Sequence, residues 1–343
     1  MAERAPLSPR VRLGLHLLGL LALALLPPLL TLIDEPFYVT LATRVLILAL
    51  AAVSLDLILG YGGMVSFGHA AFVGVGGYVT GILAHHAFMG DPLMLFGLAV
   101  PGMNEALIVW PLAMAVSAVA ALLIGVLSLR TGGIHFIMIT LAFAQMLYYL
   151  LVSLQAYGGD DGLTLWGRNT VAGTDLLADR ETFYYVCLGL LAVVVLAFRR
   201  LVDSRFGLVL QGARQNERRM RALGVPVTRY RLAAFTLAGA VAGLAGVLSV
   251  NQAEFVSPTL LHWTHSGELL VVVILGGMGT LVGPVLGAFV LMGLEEVLAG
   301  VTEHWRVILG PVLVLVVLYA RAGLHGWVIG PRRHADADGE GAS

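Results

Sequence analysis

Few residues in this chain of 343 have side chains suited to chemistry, and their setting limits what that chemistry is. His69 is the lone imidazole of "GYGGMVSFGHAAFVGVGGY", residues 60–78, where seven of nineteen positions are glycine. No second ligand stands at metal spacing from it, so a metal site is not expected. It is expected either to bond a neighbour's backbone carbonyl or to line a polar path. Asp56 sits in an apolar run, where mid-membrane insertion would cost about 2.5–3.5 kcal/mol. It lies near the end of that run, within reach of water and of Arg130, and a proton relay is its functional alternative. Glu268 follows Ser266 at a helix start, where capping and the helix dipole account for it. Cys187, the single cysteine, is expected to pack. All 20 basic residues are arginine. Without lysine there is neither a Walker A loop nor a Schiff-base amine. A membrane enzyme would need a convergent cluster of histidines or carboxylates, and none stands out.

The elements that position these residues are membrane helices. Hydrophobic residues make up 59% of the chain and charged residues 12%, with a mean hydropathy of +0.90; soluble domains carry roughly 25% charge. In lipid the backbone must satisfy its own hydrogen bonds, so apolar runs become helices. Runs of spanning length lie near 13–33, 38–59, 64–84, 107–129, 132–154, 182–198 and 231–252. A broken stretch follows at 268–300, then a last helix at 306–320. The expected fold is an all-α polytopic bundle of about nine or ten membrane helices, with broken helices and an internal repeat. The ambiguous segment is 92–101, apolar but short and bounded by Pro92 and Pro101. The first run resembles a signal peptide but has its small-x-small site inside the apolar stretch, so it is read as a retained helix.

With the N-terminus inside, sixteen arginines fall on inside segments, and only Arg44, Arg168, Arg180 and Arg306 do not. The positive-inside bias therefore makes 1–12, the loop 199–230 and the tail 321–343 cytoplasmic, the tail disordered, and the acidic loop 155–181 external. Trp110, Trp166, Trp263, Trp305 and Trp327 fall at or beyond span ends, as interfacial anchors do.

Glycines at membrane depth belong where protein or a water-filled cavity surrounds them. Most of those in 60–78 are expected to allow close helix packing, Gly74 and Gly77 forming small faces with Gly81 just beyond. Gly60, Gly62 and Gly63 are expected to break the helix and expose amides to a polar solute. "GGMVSF" at 62–67 is echoed by "GGMGTL" at 276–281, each with a hydroxyl, Ser66 or Thr280, two residues after the methionine. Paired interruptions in two halves point to a transport pathway. The candidate pathway residues are Gly62, Gly63, Ser66, His69, Gln145, Gly276, Gly277 and Thr280. In the long inside loop, 212–223 reads as one charged helix closed by Gly224 with Pro226 beyond. Glu217 pairs with Arg221, and Ala213, Met220 and Leu223 form a small apolar stripe. Its alternatives are a solvated helix on headgroups and a helix offered to a partner protein.

Five segments in order, "GYGGMVSFGHAAFVGVGGY" at 60–78, "ITLAFAQM" at 139–146, "GGDDGLT" at 158–164, "RQNERRMRALGV" at 214–225 and "VILGGMGTLVGPVLGA" at 273–288, resemble the LivM-type permease subunits of ABC importers in the hydrophobic amino-acid uptake family. The resemblance covers roughly residues 40–320. It implies a plasma-membrane (inner-membrane) subunit without catalytic residues or cofactor. Its implied partners are a LivH-type sister permease, two ATP-binding cassette subunits and an extracytoplasmic solute-binding protein, with membrane lipid around it and no nucleic acid. It implies that Arg214, Glu217, Arg218, Arg221, Ala222, Leu223 and Gly224 contact the ATPase. Arg218 and Arg219 depart from the smaller residues common in that motif. Branched-chain amino acids are the leading substrates; urea or short amides and aromatic acids are alternatives. An ion-coupled secondary transporter is the reading from another class, and it would need paired buried acids.

The arginine placement generates the first prediction. In a Cys187→Ala background, an impermeant thiol reagent added to intact cells labels a cysteine at Thr174 and spares one at Ser204. The reverse pattern overturns the orientation.

Overall fold

In the computed structural model, residues 9–31, 36–95, 98–302, 304, 307–311, 323–324 and 326 are described. The chain is a helical bundle: α1 (Pro9–Thr31), α2 (Pro36–Asp56), α3 (His69–Met89), α4 (Ala106–Ser128), α5 (Ile134–Ser153), α6 (Arg180–Val202), α7 (Arg205–Gln215), α8 (Glu217–Ala222), α9 (Val227–Ala253), α10 (Trp263–Gly276) and α11 (Gly283–Val301). Among the described residues, seven helices are long and apolar enough to cross a membrane. The expected last helix at 306–320 and most of the tail lie outside the described residues. Two residues expected in that tail are packed: Gly323 lies against Gly277 and Leu324 against the core.

A helix apolar all round must be covered all round. α2 is that helix. In its most apolar window 89% of residues are buried, against 17% for α5 and 22% for α11, so α2 is the axis and the other two lie at the periphery. α3 and α9 cross against each other closely because glycines face backbone. A side chain at Gly76 would collide with the Gly243 carbonyl, and one at Gly246 with the Val73 carbonyl. This is the close packing expected of the glycine-rich segment.

Backbone satisfaction also explains α1. Pro27 and Pro28 cannot donate to Leu23 and Ala24, four residues earlier. The Tyr184 hydroxyl donates to the Leu23 carbonyl (2.7 Å) and the Tyr185 hydroxyl to the Ala24 carbonyl (3.1 Å), so α6 repairs the gap left by the prolines.

The ambiguous segment 92–101 is not a helix. It forms a small antiparallel pair, β1 (Leu93–Leu95) with β2 (Leu98–Val100). The 155–181 loop is built rather than slack. β3 (Leu163–Thr164) pairs with β4 (Phe255–Val256). Asn251 accepts from the Asn169 amide (2.8 Å) and donates to the Asn169 side chain (2.7 Å), which in turn donates to Asn104 (2.7 Å). Trp166 stacks on Phe88. Asp179 caps α6: hydrogen bonds from the Thr182 amide and hydroxyl hold its carboxyl below the ordinary range. That cap is at full strength near neutral pH and is lost as pH falls through the lowered value.

The α3–α9 crossing yields the second prediction. Gly76→Leu places a side chain where only backbone fits and is expected to lower the thermal midpoint in detergent, whereas Gly189→Leu, with open space around it, leaves it unchanged. Equal midpoints for the two variants would contradict the packing argument.

Candidate functional site

The two Gly-Gly-Met breaks meet at one end of the bundle. α2 does not stop at Gly60; it widens into a π-turn over Leu57–Tyr61 and breaks at Gly63, whose φ of +66° suits glycine. The Gly63 and Met64 amides turn back onto the Leu59 (3.1 Å) and Ile58 (2.9 Å) carbonyls. They close the helix and are not offered to a solute, contrary to the expectation for this break. Residues 64–68 are non-helical, so α3 begins at His69 rather than near residue 64.

In the second break, α10 ends at Gly276 and α11 starts at Gly283, as the sequence pattern requires. Positive φ at Gly277 (+116°), Gly279 (+76°) and Leu281 (+58°) curls the loop into a concave row of amides. Asp56 fills it. The Gly279 amide donates to Asp56 Oδ1 at 2.7 Å and the Leu281 amide to Oδ2 at 3.1 Å. A nest of amides is an anion site, and here the anion is the protein's own carboxylate. Asp56 is fully buried, not at a wet span end, and Arg130 is not its partner. The nearby charge is Arg214, whose guanidinium donates to the Gly60 carbonyl and interacts with Asp56.

Arg214 belongs to the last turn of α7, so the 199–230 segment reaches the breaks directly. The single helix expected over 212–223 is corrected to two. Asn216 leaves helical geometry at φ −151°, and its side chain caps α8 by accepting from the Arg219 amide. Glu217 therefore heads α8, where it bonds Arg221 (2.5 Å) as expected and also Arg231 of α9 (2.7 Å). α8 ends as anticipated at Gly224, φ +80°, with Val225 N donating to the Met220 carbonyl and Gly224 N to that of Arg221. The apolar stripe does not form: Ala213 is buried while Leu223 is 71% exposed at the tip beside exposed Arg218, Arg221 and Ala222. A cavity of ≈ 340 Å³ opens between the breaks and α7, lined by Gly62, Gly63, Arg214, Arg231 and Met278.

The other pathway candidates have structural partners. His69 is fully buried; its Nε2 lies 2.7 Å from Ser54 Oγ, a side-chain hydroxyl rather than a backbone carbonyl. Ser54 gives its own proton to the Ala51 carbonyl (2.6 Å), so His69 donates from Nε2, and the partnerless Nδ1 is an acceptor. Ser66, also buried, accepts from the Gly68 amide, and Thr280 accepts from the Gly283 amide. Each hydroxyl of the echoed pair thus braces the start of the next helix. Gln145 is half-buried on α5 and lines neither of the two cavities.

A larger cavity of ≈ 480 Å³ opens on the side of the 155–181 loop, between α2, α9, α10 and α11. Its wall runs along α2 from Thr40 to Ala51, about 16 Å at 1.5 Å per residue. Arg44, His265 and Glu268 face it, with Ser249, Gln252 and apolar residues between them. The sequence reading missed this group because it counted Arg44 only as an external charge and Glu268 only as a helix-start acid. Cys187 packs in the core on α6, as expected, and among the described residues no group of three potential metal ligands forms.

A bundle with two interrupted helices meeting at a cavity, and a second cavity opening on the opposite face, is the architecture of a polytopic membrane permease. The profile of the family described as "Branched-chain amino acid transport system / permease component" matches residues 37–317, and the chain belongs to that family. It is 28% identical to the high-affinity branched-chain amino acid transport system permease protein LivM of Salmonella typhimurium over 92% of this chain and 75% of the relative. It is 25% identical to the probable LivM of Methanocaldococcus jannaschii over 69% of this chain and 74% of that protein. A shorter match, 30% identical over 38% of this chain and 41% of the relative, is to the autoinducer 2 import system permease protein LsrC of Shigella flexneri. No solved structure matches significantly.

The third prediction concerns the nest. Asp56→Ala orphans two buried amides at about 1–3 kcal/mol each, so the variant should melt at lower temperature and lose transport. Asp56→Asn, which keeps one acceptor oxygen, should fall between it and the parent. A parental melting curve for Asp56→Ala would remove the nest from the account.

Proposed function

We propose that the chain is the membrane subunit of an ATP-driven importer of branched-chain amino acids. α7–α8 is the cytoplasmic segment that receives the ATPase subunits; a LivH-type sister permease and an extracytoplasmic solute-binding protein complete the machine. Both termini are cytoplasmic in this reading, in keeping with the arginine bias. The observation that carries it is Arg214: a residue of the docking segment bonds the carbonyl of Gly60, in the last turn before the break at Gly63, so movement of α7 reaches both interrupted helices. The exposed tip at Leu223, shaped by the Gly224 turn, supplies the contact surface. The LivM relatives favour branched-chain substrates, while the match to an autoinducer 2 import permease leaves the substrate open; urea or short amides are the second substrate reading.

The fourth prediction tests the coupling. Leu223→Asp changes an exposed residue and should leave the permease inserted. Co-purification of ATPase subunits and leucine uptake should each fall at least tenfold. Uptake that persists in cells lacking every partner ATPase would move the chain to the secondary transporters.

A further inference from the structure

We infer that the 480 Å³ cavity holds a zwitterion subsite, with Arg44 taking a carboxylate and Glu268 an ammonium group of the same small molecule. The inference deepens the proposed function and rests on it for the choice of amino acid as ligand. Arg44 lies eight residues into α2, about 12 Å along the helix. Its neighbours Thr43 and Val45 through Leu50 are all buried, whereas Arg44 is exposed into the cavity. An arginine within a spanning helix is costly and by default points to function. No ion pair or side-chain hydrogen bond among the described residues involves Arg44. Its guanidinium is a fork matched to a carboxylate.

Glu268 lies in the second turn of α10 and keeps 37% side-chain exposure while contacting His265 at 3.0 Å. Glu268 thus brings a carboxylate to the same cavity that Arg44 lines with a guanidinium. Ile47, Leu48 and Met292 add apolar surface to the same cavity. One positive group, one negative group and an apolar wall form the chemical complement of a hydrophobic α-amino acid. They fit poorly an uncharged solute such as urea, which would leave the Arg44 guanidinium without a counter-charge.

The test uses the complete importer in proteoliposomes, with Ser249→Cys in a Cys187→Ala background placing a thiol on the cavity wall. Leucine is expected to slow maleimide labelling at least threefold. Neither 4-methylpentanoate, which lacks the ammonium group, nor isopentylamine, which lacks the carboxylate, should do so. Arg44→Gln and Glu268→Gln should each lower leucine uptake at least tenfold, with ATPase co-purification and binding-protein-stimulated ATP hydrolysis retained. Protection by either analogue as strong as by leucine, or no protection by leucine, overturns the subsite, and so does uptake in both variants within twofold of the parent. If a variant fails to assemble, the protection assay in the otherwise unaltered importer still decides. A parent importer that moves no amino acid at all overturns the amino-acid reading and the subsite together. Leucine uptake with unprotected thiols overturns the subsite alone.

Discussion

The carboxylate of Asp56 in its nest of amides is the interaction on which this end of the bundle depends. A membrane helix that ends inside protein leaves amides and carbonyls without partners, and lipid offers none. The 277–281 loop curls through three positive-φ residues, one of them Leu281, a conformation costing a non-glycine residue about 1–2 kcal/mol. Charge-assisted bonds from Gly279 and Leu281 to Asp56 offset that strain and fix the loop against α2. Gly60 must lack a side chain because any Cβ there would strike Asp56 and the Gly279 backbone. The chain just ahead of the first Gly-Gly-Met is therefore shaped by the loop that carries the second.

The same demand for backbone satisfaction is met differently elsewhere. Where prolines leave carbonyls bare in α1, tyrosine hydroxyls from α6 supply the donors. Where α3 starts within the bundle, the Ala70 amide is taken by Ser266 of α10 at 3.0 Å. Each repair ties two helices distant in sequence, so interruptions that would weaken an isolated helix here pin the bundle.

What the sequence made legible is what composition and local signals determine. Apolar runs placed most of the spans, Gly224 marked the end of α8, and the glycine crowd forecast close packing of α3 without naming its partner. What stayed hidden depended on long-range pairing. Nothing local tells that Asp56 answers to Gly279 and Leu281, more than two hundred residues away, rather than to Arg130. Nor does helix propensity reveal that Asn216 stops being helical: the charged run 212–223 is helix-forming throughout, and the break follows from Asn216 capping α8 while Arg231 holds Glu217 and the Ala213 carbonyl together. Arg44 was visible as a charge, but only the assembled wall of α2, α9 and α10 turns it toward a cavity.

Arg214 gives these pieces a direction of influence. Its side chain packs over Gly63, and its guanidinium bonds Gly60 beside the Asp56 nest, so one residue of α7 touches both interrupted helices. Glu217, the first residue beyond the Asn216 joint, is tied to Arg231 at the base of α9, the helix packed along α2, α3 and α4. In the proposed docking, a force on the exposed tip at Leu223 would be divided by that joint: one branch through Arg214 to the breaks, the other through Glu217 and Arg231 to α9. α9 also walls the far cavity at Ala245, Ser249 and Gln252. The two cavities lie at opposite ends of the same helices, α2 and α9. A shift of these two relative to one another alters both openings at once, as alternating access requires.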